Sequence, residues 1–355
     1  MNDVAPWWLP GGHLQTIWPA LFARRGGAAP PQYRRERWDT PDGDFVDVDF
    51  LVHTGHGDVA GEATPKTGTV GRPLLVLFHG LEGSSRSHYA EAFADWCAAS
   101  GIAYAVPHFR GCSGELNRGP RAYHSGDFEE IDWILRRLRA LHTAHGGGPL
   151  LAVGISLGGN ALMRWAGEMG ACAARVANAV AAVSSPLDLA AGGHAIGRGF
   201  NRQVYTRMFL QSMKPKALAK LAQHPGLFDR DALLRAQNLF EFDNIFTAPV
   251  HGFRDTEDYW RRASAKPHLA QIGIPALLVN ARNDPFVPAW SLPERSDVAA
   301  TAVMVFGAFG VLRSRHGRAF EAVRDDDGKV RFVLAAEDPG VANWLDTAGH
   351  SNGAM

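Results

Sequence analysis

The sequence predicts an α/β fold: a mostly parallel central sheet with helices on both faces and a helical cap inserted over it. Three observations predict this. From about Pro73 onward, short apolar runs alternate with helical patterns, as a parallel sheet with crossover helices requires. One run, Leu150–Val153, leads through a glycine-rich turn directly into a helix-forming stretch. Between Leu187 and Ala263 the alternation stops, and helical patterning with basic and aromatic residues replaces the strand signals.

The runs Leu74–Phe78, Ile102–Pro107, Leu150–Val153, Ala179–Val183, Ala276–Val279 and Ala302–Phe306 are the expected strands. Phe128, Ile131, Ile134, Leu135, Leu138 and Leu141 recur at helical spacing, and Asp127 with Glu130 can cap the start of that helix. Upstream, Phe45-Val-Asp-Val-Asp-Phe50 alternates apolar and acidic residues, which predicts a half-buried antiparallel strand at the edge of the sheet. The Gly- and Thr-rich stretch Thr54–Gly71 reads as a surface loop. The expected organisation is therefore an N-terminal extension over 1–72 and a catalytic domain over 73–320, with a cap at about 187–263 and a tail over 321–355. Insertions in such folds often cover the ligand crevice.

With 355 residues, 46% of them apolar, the chain can bury a large core. Lys+Arg and Asp+Glu balance at 36 each, so no net field draws nucleic acid, an anionic membrane or an acidic substrate. A neutral small molecule is the expected partner. Cys97, Cys112 and Cys172 cannot all pair and lack metal-ligand spacing, which fits buried thiols in a reducing cytoplasm. The first 20 residues carry an early Asp3, two prolines before Gly11 and no continuous apolar run, so neither a signal peptide nor a membrane span is expected. Trp7, Trp8 and Leu9 form a small apolar cluster that could touch lipid, though packing onto the domain is the commoner fate.

The turn after Leu150–Val153 reads Gly154-Ile-Ser156-Leu-Gly158-Gly-Asn160 and continues into Ala-Leu-Met-Arg-Trp165. Strand, G-x-S-x-G turn and helix in that order make a nucleophile elbow: the serine sits in a strained backbone conformation, and the glycines avoid collisions across the turn. Ser156 is the candidate nucleophile. After Leu74–Phe78 comes His79-Gly-Leu-Glu-Gly-Ser-Ser85, placed to supply an oxyanion donor. The backbone N–H groups of Leu81 and Leu157 are the candidate pair. His79 is read as a prop for this loop rather than as a base.

A serine hydroxyl needs a base to ionise near neutral pH. In this arrangement acid and histidine follow the serine. Asp284, at the C-terminal end of the Ala276–Val279 run, is the candidate acid. Beyond it stand two histidines, His316 and His350. His316, 32 residues after the acid, is the better placed, while His350 lies in the last residues of the chain. Of the upstream histidines, His88, His108 and His124 are expected to make structural hydrogen bonds.

The motifs together resemble the YheT-like branch of the α/β-hydrolases over about residues 5–292. They are Gly12-His-Leu-Gln-Thr-Ile-Trp-Pro19, the His79–Ser85 and Gly154–Asn160 loops, Phe109-Arg-Gly-Cys-Ser-Gly114, Tyr123-His-Ser-Gly126, Phe242-Asp-Asn244, Thr247-Ala-Pro249, Gly252-Phe253, Tyr259-Trp260 and Asn283-Asp-Pro-Phe286. The resemblance implies one catalytic domain with a helical insertion, hydrolysis of carboxylic esters without a cofactor, and a triad onto which Ser156 and Asp284 fall. After about Leu292 the likeness fades. The family closes its triad with a Gly-Gly-His-Val-Gly-Phe type of loop, and Leu312-Arg-Ser-Arg-His316-Gly-Arg-Ala-Phe320 keeps the histidine and the phenylalanine without the preceding glycines. The expected function is hydrolysis of short to medium-chain acyl esters by Ser156, Asp284 and His316. Acyl transfer by the same triad, or ligand binding without turnover, are the alternatives.

Overall fold

A computed structural model describes residues 8–22, 30–52, 71–307, 313–314, 333–335 and 344–346. Eight strands form the main sheet: β1 (Tyr33–Asp39), β2 (Phe45–Leu51), β3 (Leu74–Phe78), β4 (Ala103–Pro107), β5 (Leu150–Ile155), β6 (Ala179–Val183), β7 (Ala276–Ala281) and β8 (Ala302–Gly307). Their order is β1-β2-β4-β3-β5-β6-β7-β8. Strands β3 to β8 pair in parallel, while β1 and β2 run antiparallel at one end. All six runs expected in the parallel region are strands, with ends moved by at most two residues.

The edge differs from the expectation. Phe45–Leu51 is an antiparallel strand, but β1 lies outside it and is the true edge. Sequence alternation misleads here because the acidic residues of β2 do not face water: Asp47 and Asp49 are buried and pair across the strand register with Arg37 and Arg35 of β1. A carboxylate buried this way needs a cation and hydrogen bonds around it, and β1, Tyr-Arg-Arg-Glu-Arg-Trp-Asp, supplies them.

Helices cover both faces. Helix α2 (His88–Ala99) packs on one side with Ala90, Ala94 and Cys97 against Leu75, Leu77 and Tyr104. On the other side α3 (Phe128–Ala144) and α4 (Leu157–Met169) bring Ile131, Leu135, Leu162 and Trp165 onto the sheet. Asp127 caps α3 by accepting from Glu130 N–H, as expected. Leu141, by contrast, is exposed at the far end of that helix. Cys97 and Cys112 are buried but Cys172 is exposed, so the expectation of a buried thiol fails there. It sits in the short 3₁₀ turn Gly170–Arg175 after α4, outside the layer that α4 buries.

Between β6 and β7 every described regular element is helical, ending in a 3₁₀ turn at Lys266–Gln271. Before that turn the chain runs through α5 (Leu189–Ile196), α6 (Gly199–Asn201), a π turn (Arg202–Thr206), α7 (Arg207–Gln223), α8 (Arg230–Arg235), α9 (Leu239–Phe242), a second π turn (Asp243–Thr247), α10 (Ala248–Val250) and α11 (Thr256–Ala263). Helix α1 (Gly11–Phe22) precedes the sheet. Three short strands after β8, at Arg313–Ser314, Val333–Ala335 and Trp344–Asp346, form a separate small sheet. His316 and His350, Trp7, the Thr54–Gly71 loop up to residue 70, and most of the tail lie outside the described residues.

Candidate active site

The strand order places the site. Strands β4 and β5 lie on opposite sides of β3, so the connections leaving β3 and β5 diverge and open a crevice at their C-terminal ends. The last paired residues are Phe78 and Gly154. The loop beginning at His79 and the turn at Ser156 therefore start side by side.

Ser156 has φ 51° and ψ −118°, between β5 and α4. A positive φ of this size is uncommon for a residue with a side chain. Its N–H donates to Val183 O, extending the ladder to β6, and its carbonyl accepts from Gly159 and Asn160 N–H at the start of α4. The flanking glycines are required sterically: a Cβ on Gly158 would lie 2.4 Å from Phe78 O, and one on Gly154 would lie 2.4 Å from Gly158 O. Asn160, fully buried, fixes the helix further on. Its amide donates to Ser125 O and Ala263 O and accepts from Ala265 N–H. That role, a bracket between the elbow and the end of the cap, has no signal in the sequence.

The loop opposite is held by aromatic hydroxyls. Gly80 N–H donates to Tyr89 OH, 2.9 Å, and Glu82 N–H to Tyr123 OH, 3.2 Å. Gly80 approaches so closely that a Cβ there would be 3.3 Å from Ser156 Cβ, which brings the next residue, Leu81, beside Ser156. The N–H of Leu157, first in α4, has no partner within its helix. His79 is buried completely. Its Nε2 accepts from Phe109 N–H at 3.1 Å, so the ring proton is on Nδ1, which faces Gly80 O at 2.8 Å. Burial, helped by the nearby His108 ring, pushes its pKa down to about 3. His79 is thus a neutral strut between the loop and Phe109, in agreement with the expectation of a prop.

Asp284 follows β7 and is buried; its Oδ1 accepts from Phe286 N–H at 2.8 Å. Burial pushes its carboxyl up to about 6, against the pull of the Phe286 and Val287 N–H groups. The loop that carries Asp284 is clamped from outside by α1. Gly12 sits so tightly on it that a Cβ would fall 1.8 Å from Asn283 O, and Gln15 Oε1 accepts from Asn283 Nδ2 at 2.9 Å. This gives the Gly12–Pro19 motif a physical role that its sequence alone does not disclose.

Of the remaining histidines, His108 bonds to Asp49, 2.8 Å. His124 Nδ1 accepts from Gly126 N–H, and burial pushes its pKa down to about 3. Among the described residues no histidine hydrogen-bonds to Ser156 Oγ.

A cavity of about 420 Å³ opens over Ser156. Its lower wall is Gly80, Leu81, Leu157 and Phe286, and its roof is the cap, with Phe209 and Met213 of α7, Phe242 of α9 and Phe246 of the second π turn. The lining is predominantly apolar, as small-molecule sites usually are. Asp243 lies at its edge, buried and pushed up to about 6 by that burial, although Thr247 Oγ1 and Trp260 Nε1 both donate to it. Helices of the segment between β6 and β7 thus roof the cavity over Ser156.

A crossover sheet with a serine elbow at its switch point, a glycine loop facing it and a cap above defines the class. Residues 73–305 match the family model for the alpha/beta hydrolase fold, and the chain belongs to that family. Within it the chain belongs to the YheT-like branch. It is 38% identical over 284 residues to a protein of Escherichia coli (strain K12) named "Putative esterase YheT", covering 79% of this chain and 77% of that one. It is 27% identical over 286 residues to the phospholipase ABHD3 of Mus musculus, covering 79% of this chain and 66% of that one. Among solved structures, the esterase Pf2001 of Pyrococcus furiosus superposes with a TM-score of 0.46 at 13% identity, over 78% of this chain and 83% of that one.

Proposed function

We propose that this chain hydrolyses carboxylic esters of small molecules, with short to medium acyl chains, through Ser156. The observation that carries the reading is Ser156 itself, held at φ 51° between strand and helix and facing an apolar cavity of about 420 Å³. In the proposed reaction Ser156 Oγ attacks the ester carbonyl while a histidine takes its proton. The oxyanion is held by the N–H groups of Leu81 and Leu157, and the alcohol leaves with the proton from the histidine. Water then attacks the acyl-serine by the same steps and releases the acid. His316 is assigned as the base and Asp284 as the carboxylate that orients it. The names of the relatives, an esterase and a phospholipase, support ester hydrolysis as the reaction class. We assign the catalytic domain to residues 73–320, with the cap at 187–263, and a cytoplasmic location.

Ser156→Ala tests the reading against short and medium-chain p-nitrophenyl esters, with a fluorophosphonate probe alongside. Loss of both turnover and labelling is expected; undiminished hydrolysis would sink the assignment. His316→Ala is expected to lose activity to a similar degree and His350→Ala to keep it. A wild-type chain that neither turns over nor labels would assign the cavity to binding alone.

A further inference from the structure

Helix α1 carries no charged residue, and Leu14, Trp18, Leu21 and Phe22, at spacings i, i+4, i+7 and i+8, are 43%, 43%, 68% and 57% exposed. They form one stripe, since these spacings fall on a single face of a helix. Trp8, 45% exposed, extends it by packing edge-on against Trp18 with ring centroids 4.9 Å apart, and Trp18 in turn meets Phe22 at 4.4 Å. The contacts of α1 with the loop that carries Asp284 are made by other residues of the helix, Gly12 and Gln15. The outward stripe is therefore not needed to seat the helix, yet it holds large apolar side chains in water. A contiguous apolar face of this kind marks an interaction surface.

The charges around the stripe identify its partner. Phe200, itself 52% exposed, lies against His13 of α1 with centroids 4.6 Å apart, and Arg198 and Arg202, both exposed, flank it in the chain. Between Asp188 and Asp229 the sequence has no acidic residue, and of its cations Arg198, Arg202 and Arg207 are exposed, whereas Lys216 pairs with Glu82 and Lys220 is buried. Over a chain whose charges balance, the exposed charges of the segment around Phe200 are thus arginines alone. Aromatic and aliphatic side chains bordered by arginine are the composition of a helix lying in the headgroup region of an anionic bilayer.

We propose that α1 and the adjoining Phe200 segment dock this enzyme onto an anionic phospholipid surface. The face is continuous with the cavity: Tyr205 stacks beside His13, and Phe286, which lines the cavity, meets Tyr205 edge-on at 4.5 Å. A surface docked here stands next to the pocket that holds Ser156. No helix among the described residues is long and apolar enough to cross a membrane, and the proposal requires none, since the helix lies on the surface rather than through it.

Cosedimentation with vesicles tests this, using phosphatidylcholine alone and phosphatidylcholine mixed with phosphatidylglycerol. The wild-type chain is expected to partition onto the mixed vesicles and about tenfold less onto the neutral ones. Trp18→Gln combined with Phe22→Gln is expected to lose binding at least about tenfold, with unchanged melting temperature and unchanged turnover of a soluble short-chain ester. Arg198→Gln with Arg202→Gln is expected to weaken binding to the mixed vesicles by roughly fivefold per arginine and to leave neutral vesicles unaffected. Absence of wild-type binding, or equal binding by the Trp18/Phe22 variant, overturns the proposal. So does a wild-type dimer in solution that this variant dissolves, because the face would then belong to a second copy of the chain. The vesicle readout needs no turnover, so failure of the ester-hydrolysis reading leaves it intact.

Discussion

Lys216 Nζ lies 2.9 Å from Glu82 Oε2, and this pair joins the cap to the residue that follows the Leu81 N–H. Glu82 is a non-glycine residue at φ 56°, a conformation that costs of order 1 kcal/mol and persists only where its surroundings impose it. Tyr123 OH supplies part of that constraint by accepting from Glu82 N–H and donating to Oε1; Lys216 on α7 supplies the rest. Lys216→Met is expected to cost about 1 kcal/mol of stability, because the lysine is partly exposed, and to lower kcat/KM on esters several-fold. Glu82→Gln should do the same. A double-mutant cycle distinguishes the routes: if Lys216 acts through Glu82, the double variant resembles either single one, whereas additive losses would mean that Lys216 meets the substrate directly.

His79→Ala removes the acceptor for Phe109 N–H and opens a void behind the oxyanion loop. An unpartnered buried donor costs about 1–3 kcal/mol, and the cavity adds to that, so a fall in melting temperature of several degrees is expected. Turnover should drop about tenfold or more through the displaced Leu81 N–H. The acid limb of the pH–rate profile should stay where it is, since a ring with its pKa near 3 does not titrate in the working range. Disappearance of that limb in the variant would make His79 the base and remove it from the structural role assigned above.

Elements whose cues are local are legible in the sequence. The elbow can be read because Gly154, Ser156 and Gly158 follow one another between an apolar run and a helix, and steric demand across so tight a turn admits few other residues. Asp284 is legible for a similar reason, as an acidic residue just past a buried strand. Contacts made across long sequence separations are not. Nothing in Tyr33–Asp39 announces a strand until Asp47 and Asp49 are seen to need arginines. Asn160 looks like one more helix residue until Ser125, Ala263 and Ala265 come together around its amide. The Gly12 motif is recognisable as a motif, but its fit against Asn283 depends on a fold that brings residues 271 positions apart into contact.

As the proposed acid, Asp284 sets stability against chemistry. Its carboxyl is raised to about 6 by burial, from an ordinary value of about 4, so the folded chain holds that proton more tightly than the unfolded one. The stability linked to this group is greatest below about pH 4 and is lost as pH rises through about 6. Above that the buried carboxylate costs about 2–3 kcal/mol. Asp284→Asn, which still accepts from Phe286 N–H, is therefore expected to melt higher than wild type at pH 8 and alike at pH 4, while losing a hundredfold or more in ester turnover. Equal melting at pH 8 would indicate that a cation already compensates the charge in the folded chain, as a protonated triad histidine would.

Asp49 is the opposite case, and its sign runs the other way. Burial alone would raise its carboxyl, but hydrogen bonds from Arg35, His108 and Ser85 outweigh it and hold the pKa well below the usual range. Arg35 contacts both oxygens, at 2.7 and 2.9 Å, while Ser85 Oγ donates to Oδ2 at 2.6 Å and His108 Nε2 lies 2.8 Å from it. Ser85 ends the loop that begins at His79, so the network anchors the oxyanion side of the site to the antiparallel end of the sheet. A group with a depressed folded pKa contributes stability that is present above about pH 4 and lost as pH falls further. Asp49→Asn removes the charge and leaves the cations around it without their partner, at an expected cost of about 3 kcal/mol at pH 7. Melting curves from pH 7 down to pH 2 should show the gap between variant and wild type narrowing below about pH 4, as the carboxylate protonates in the unfolded chain while staying charged in the folded one. A constant gap between the two across that range would show that the substitution costs packing rather than charge.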